Sequence, residues 1–131
     1  MSELGHFMQD LSEAMGVTFQ ASEGTYSLEM PTPGGRSQVV HAFAQESGIE
    51  GQMIVFYTPV GAIDEDIDWK ALLELNVGTI YARVGVMEDE LVVLAGQMLD
   101  SADVSEVIAI LSEVGTLGDM LENLLYGEDR F

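Results

Sequence analysis

Asp64, Asp66 and Asp68 stand at alternate positions, the spacing with which an EF-hand loop begins to wrap a calcium ion in carboxylate oxygens. The match stops at the next residues. Trp69 occupies the place where that loop needs glycine for its sharp turn, and Leu75 the place of the bidentate glutamate. Read with Glu65, the same acids suit a helix entrance, where negative charge meets the positive end of the helix dipole. His6 and His41 are the only histidines, and neither belongs to an H-E-x-x-H pattern or any close metal-ligand spacing. Ser37 and His41 would make a nucleophile and a base, yet no G-x-S-x-G elbow is present and both fall on one expected strand. Glu29 and Glu46 are one of many conceivable acid/base pairs among 23 acidic residues, and nothing in their spacing selects them. The Gly34-Gly35 pair lies in P-T-P-G-G-R without a Walker or G-x-G-x-x-G frame, so it reads as a turn rather than a phosphate cradle. No catalytic residue, cofactor or metal site is expected.

Composition narrows the partners. The chain has 131 residues, 47% hydrophobic, which suits one folded domain spanning 1–131. Four Lys plus Arg against 23 Asp plus Glu give a formal charge of -19, a surface that repels nucleic-acid phosphates and anionic lipid headgroups. High charge also favours solubility, which fits a carrier or chaperone that exposes apolar surface, and equally an acidic domain whose carboxylates are simply solvated. With no cysteine there is neither a disulfide framework nor a thiol nucleophile. The start, M-S-E-L-G-H-F-M, lacks a basic segment followed by an apolar core, and no apolar run approaches bilayer-spanning length, so a soluble, cytoplasmic protein without membrane insertion is expected.

Hydrophobic periodicity places the elements. Leu4, Phe7, Met8, Leu11 and Met15 recur at helical spacing before Gly16. Val17, Phe19 and Ala21, then Tyr26, Leu28 and Met30, alternate around S-E-G as a hairpin. Further strands are expected over Ser37–Gln45 and Gln52–Thr58, joined by E-S-G-I-E-G. The second of these is apolar from Met53 to Tyr57, as in a strand that is central or lies at a subunit contact. A Pro/Gly turn follows, then a helix from about Asp66 to Asn76, strands over Thr79–Val86 and Leu91–Met98, and a long helix from Asp100 or Ser101 to Tyr126. Ile80, Ala82, Val84 and Val86 should share one strand face; Gly115 and Gly118 should bend the last helix or let it pack closely; the terminal G-E-D-R-F should fray. The expected class is α+β, an antiparallel sheet flanked by helices in the order α-β-β-β-β-α-β-β-α.

In that order, F-Y-T-P-V-G (residues 56–61) at a strand end, the acidic turn, and L-L-E-L-N (residues 72–76) closing a helix resemble the middle of the bacterial type III secretion chaperone (Tir-chaperone, CesT-like) family and the related YbjN-like proteins. The resemblance implies a non-enzymatic homodimer that holds an extended segment of a client or effector protein without ATP. It further implies a dimer contact at Trp69, Leu72, Leu73, Asn76 and Ile80, and a partner-binding surface at Phe7, Met8, Leu11, Phe19 and Leu28. The alternative is a YbjN-like regulatory or small-ligand-sensing domain using the concave face of the sheet. A small-molecule enzyme would instead need a deep pocket around His41 or a close pair of buried carboxylates.

Overall fold

The computed structural model describes residues 2–46, 48 and 51–127. Residues 47, 49 and 50 of the expected E-S-G-I-E-G connection, and residues 128–131 of the tail expected to fray, lie outside the described residues. Among the described residues three helices and six strands follow in the expected order: α1 (Glu3–Met15), β1 (Phe19–Ser22), β2 (Thr25–Thr32), β3 (Arg36–Glu46), β4 (Gln52–Ala62), α2 (Trp69–Gly78), β5 (Arg83–Met87), β6 (Glu90–Met98) and α3 (Val104–Tyr126). Every strand pair is antiparallel, and the order across the sheet is β1-β2-β3-β4-β6-β5, which makes β4 central. The fold is α+β, as expected.

Element ends follow local chemistry. The Ser2 hydroxyl accepts from the Gly5 N–H to start α1, and Gly16, at φ 68°, closes it. The N–H groups of Gly16 and Val17 both reach the Ser12 carbonyl, so the chain leaves the helix late and β1 begins at Phe19 rather than Val17. Two-residue turns with positive φ join β1 to β2 (Glu23 48°, Gly24 84°) and β5 to β6 (Glu88 48°, Asp89 66°), the backbone twist that tight hairpins require. β4 corrects the expected Pro/Gly turn. It passes through Pro59 to Ala62, and its register against β6 shifts between Pro59 and Gly61, a bulge that tolerates proline inside a sheet.

One sheet face carries the core. Leu28 and Met30 of β2, Val40 and Ala42 of β3, Ile54 and Phe56 of β4, and Leu91 and Val93 of β6 are buried there. They pack with Leu4, Met8 and Leu11 of α1 and with Val107, Leu111, Val114 and Leu121 of α3. The expected close packing at the helix glycines is what is found. A Cβ on Gly118 would lie 2.4 Å from the Thr58 methyl, and one on Gly115 3.3 Å from Met30 Cβ, so α3 rests directly on β2 and β4. Beneath it Gln38 Nε2 donates to Thr58 Oγ1 at 3.0 Å, and Thr58 Oγ1 donates to the Val39 carbonyl at 2.7 Å.

Arg36, at the start of β3, binds the buried Asp119 of α3 with both Nε and Nη2, the shorter contact being 2.7 Å. Removing a partner from such a pair leaves a carboxylate desolvated without its counter-charge. Arg36→Met should lower unfolding free energy by about 2 kcal/mol, less than for a fully enclosed pair because the guanidinium is partly exposed. Urea denaturation at pH 7 measures it, and an unchanged midpoint would show that the pair is energetically idle.

Candidate protein-binding site

α2 starts at Trp69, not Asp66, because Asp68 is its N-cap and Asp64 closes a turn ahead of it. Asp64 Oδ1 accepts from the Asp66 N–H at 2.8 Å, and Asp68 Oδ1 from the Ala71 N–H at 3.1 Å. Those carboxylates satisfy backbone donors instead of converging on a cation, and no group of three or more His, Asp or Glu side chains suited to a metal occurs among the described residues.

The helix buries little of itself: Leu72 is its buried side chain, with Leu75 and Asn76 half-buried. Its outer face carries Trp69, Leu73 and Val77 at a spacing of four, and Ile80 follows just beyond its end. These four are exposed by 46%, 66%, 86% and 76%. An apolar stripe so open to water is costly in a free monomer. Of the five residues expected at a dimer contact, Trp69, Leu73 and Ile80 lie on this stripe. Leu72 instead points into the core, and Asn76 turns toward β5, where its Oδ1 accepts from the Val84 N–H at 2.7 Å and its Nδ2 donates to the Val84 carbonyl at 3.3 Å. Asn76 thus occupies a backbone site on the outer edge of the sheet. Val77 joins the stripe; its four-residue spacing from Leu73 was the signal available in the sequence.

Residues 79–82, expected to begin a strand, do not. The Ile80, Tyr81 and Ala82 N–H groups all donate to the Glu113 carboxylate of α3, at 3.1, 2.7 and 2.6 Å, so β5 begins only at Arg83. Burial works to raise the Glu113 pKa, but these three donors and the Arg83 charge outweigh it and hold the carboxyl below its ordinary range. The expected shared face of Ile80, Ala82, Val84 and Val86 is therefore broken: Ala82 is buried, Val84 half-buried, and Ile80 and Val86 exposed. No local pattern announces Glu113, because its partners lie more than thirty residues away in the chain.

The expected partner-binding set also divides. Met8, Leu11 and Leu28 are core side chains, closed to a partner because α1 lays its apolar stripe onto β2. Phe7 and Phe19 remain half-buried at the rim of that core, and Phe19 stacks on Tyr26 with ring centroids 6.2 Å apart. β1 is an edge strand of four residues, so its outer backbone groups face away from the sheet.

The sheet face opposite α1 and α3 holds an open depression of about 580 Å³ lined by Gln20, Ser22, Thr25, Ser27, His41 and Tyr57. His41 Nδ1 and Ser27 Oγ share a 2.7 Å hydrogen bond, and the His41 and Tyr57 rings lie 5.1 Å apart. Burial lowers the His41 pKa, while burial together with Glu88 and Glu90 raises that of Tyr57, so both rings are neutral near pH 7. Ser37 donates to Glu29 Oε1 at 3.2 Å rather than to His41, leaving the nucleophile–base pair unmade. Glu29 stands opposite Val39 and Glu46 opposite Gln52, at different ends of β3.

Because the folded state favours neutral His41, its stabilising effect is complete above the ordinary pKa of 6.5 and is lost as pH falls through the lower folded value. Between pH 7.5 and 5.5, wild type should therefore lose urea stability relative to His41→Gln, by under about 1 kcal/mol. Parallel pH dependences would remove His41 as the cause.

No protein-family model matches the chain, and no curated protein does. Among solved structures, the Yersinia pestis type III secretion chaperone SycH, crystallised in complex with a stable fragment of YscM2, superimposes with a TM-score of 0.61. The alignment covers 89% of this chain and 95% of that one at 12% identity. The fold is that of a type III secretion chaperone. At such low identity the likeness concerns backbone architecture, so the roles of the stripe, the rim aromatics and the depression rest on their own chemistry. Among the described residues no helix of this chaperone-like fold is long and apolar enough to cross a membrane.

Proposed function

We propose that this protein is a non-enzymatic, homodimeric, chaperone-like module that holds a segment of a partner protein. The observation that carries the reading is the near full-length match to a secretion chaperone fold solved with a partner fragment. The exposed Trp69–Leu73–Val77–Ile80 stripe supports the dimer, since two copies meeting through it would bury in each other what each exposes alone. The client segment lies in extended form along the edge strand β1, with Phe7 and Phe19 as apolar contacts; pairing of backbone groups at a sheet edge is insensitive to the exact sequence held.

Light scattering at micromolar concentration should report twice the 14.2 kDa chain mass, and a monomer would overturn the dimer. Co-expression with proteins encoded beside this one tests the client. A partner should stay soluble and co-purify with wild type but not with Phe7→Ser/Phe19→Ser, and the absence of any such partner counts against chaperoning. A second reading, a small-ligand-sensing domain, is favoured by the depression around His41 and Tyr57. A thermal-shift screen separates the two, because a ligand that binds the native state alone raises the unfolding temperature.

A further inference from the structure

The apolar stripe is attached to its own domain by polar as well as apolar contacts. Leu72 and Ala82 are buried and Leu75 and Tyr81 pack against the core, which anchors this stretch but leaves its backbone groups to be satisfied by polar partners. Three side chains supply them. Asn76 grips both backbone groups of Val84; the Thr79 hydroxyl donates to the Ala82 carbonyl, with the Asn76 carbonyl as a longer, alternative acceptor; and the Glu113 carboxylate collects the N–H groups of Ile80, Tyr81 and Ala82. Three successive N–H groups directed at one carboxylate form a nest that strongly constrains the backbone between them. Ile80 sits at the first of these donors with its side chain in water, and Glu113 comes from α3, whose seat on the sheet is set by Gly115 and Gly118.

We propose that Glu113 is a positioning residue for self-association: it transmits the placement of α3 to the 79–82 segment and holds Ile80 in line with Trp69, Leu73 and Val77. The proposal rests on the dimer reading above and adds a residue whose own side chain is not part of the apolar stripe. Without the carboxylate, residues 79–82 lose their common acceptor, and a second copy must order them on binding, which weakens association without removing any apolar contact.

A double-mutant cycle on the dimer dissociation constant, measured by sedimentation equilibrium at pH 7, tests it. Glu113→Gln and Ile80→Ala should each raise the constant about tenfold. Combined, they should raise it little further, because Glu113 acts through Ile80. Effects that multiply to about a hundredfold would mean that Glu113 merely supports the fold, and would overturn the proposal. So would a dimer as tight as wild type in Glu113→Gln. Ile80 is exposed, so Ile80→Ala leaves folding intact and decides the matter even if Glu113→Gln folds poorly: an unchanged dissociation constant places Ile80 outside the contact and the proposal fails. A monomeric wild type would refute the dimer reading itself, a result distinct from a dimer indifferent to Glu113.

Discussion

Leu73→Asp should convert a dimer at micromolar concentration into a folded monomer. Leu73 is two-thirds exposed and sits between Trp69 and Val77 on the outer face of α2, so an aspartate there is solvated and harmless in the isolated chain. At a two-fold contact the change counts twice, because each copy contributes its own Leu73. Truncating a central apolar anchor costs about 2 kcal/mol or more, and a carboxylate buried against a like-charged partner adds to that, so the dimer should weaken by at least about a hundredfold. Light scattering with far-UV circular dichroism reads both halves of the expectation. A dimer that persists unchanged would remove α2 from the interface. The same argument gives a sign for salt: two copies of formal charge -19 repel, so added salt should tighten association.

Gly118→Ala should be strongly destabilising. The added methyl would stand 2.4 Å from the Thr58 side-chain methyl, inside any permissible contact, and both are held by rigid elements, the middle of α3 and the central strand β4. Relief requires lifting α3 or moving Thr58, whose hydroxyl is already engaged with Gln38 and with the Val39 carbonyl. Overpacking costs about 1–3 kcal/mol, and loosening those buried hydrogen bonds about 1–3 kcal/mol more. A fall of roughly 10 °C in thermal midpoint should result. Gly78→Ala is the control. Nothing lies within 4 Å of its added Cβ, and at the last residue of α2 alanine should be neutral or stabilising by under about 1 kcal/mol. Equal midpoints for the two variants would mean that α3 does not depend on close approach at Gly118.

Both expectations pass through features that differ in how far they are local. The period-2 and period-3.6 patterns needed for six strands and three helices are carried by neighbouring residues, and hairpin turns such as Glu23-Gly24 follow from nearest-neighbour backbone preference, so element order and α+β class were readable. The acidic run before Trp69 was likewise readable as a helix entrance, since the run and the helix it opens are neighbours in the chain. Which apolar residues stay exposed was not readable. Leu72 and Leu73 are adjacent and chemically identical, yet one fills the core and the other faces water, a distinction made by the direction in which α2 is docked. Met8, Leu11 and Leu28 were similarly indistinguishable from surface residues until α1 was laid on β2.

Sequence by itself therefore determined the order and type of the helices and strands, the hairpin turns and the charge of this protein, because each depends on contacts within a few residues or on a sum over the chain. Tertiary structure alone decided that Asn76 grips the β5 edge, that Glu113 reaches back to residues 80–82, and that α2 keeps an apolar face uncovered. Those depend on elements distant in the chain and are fixed by how the layers pack.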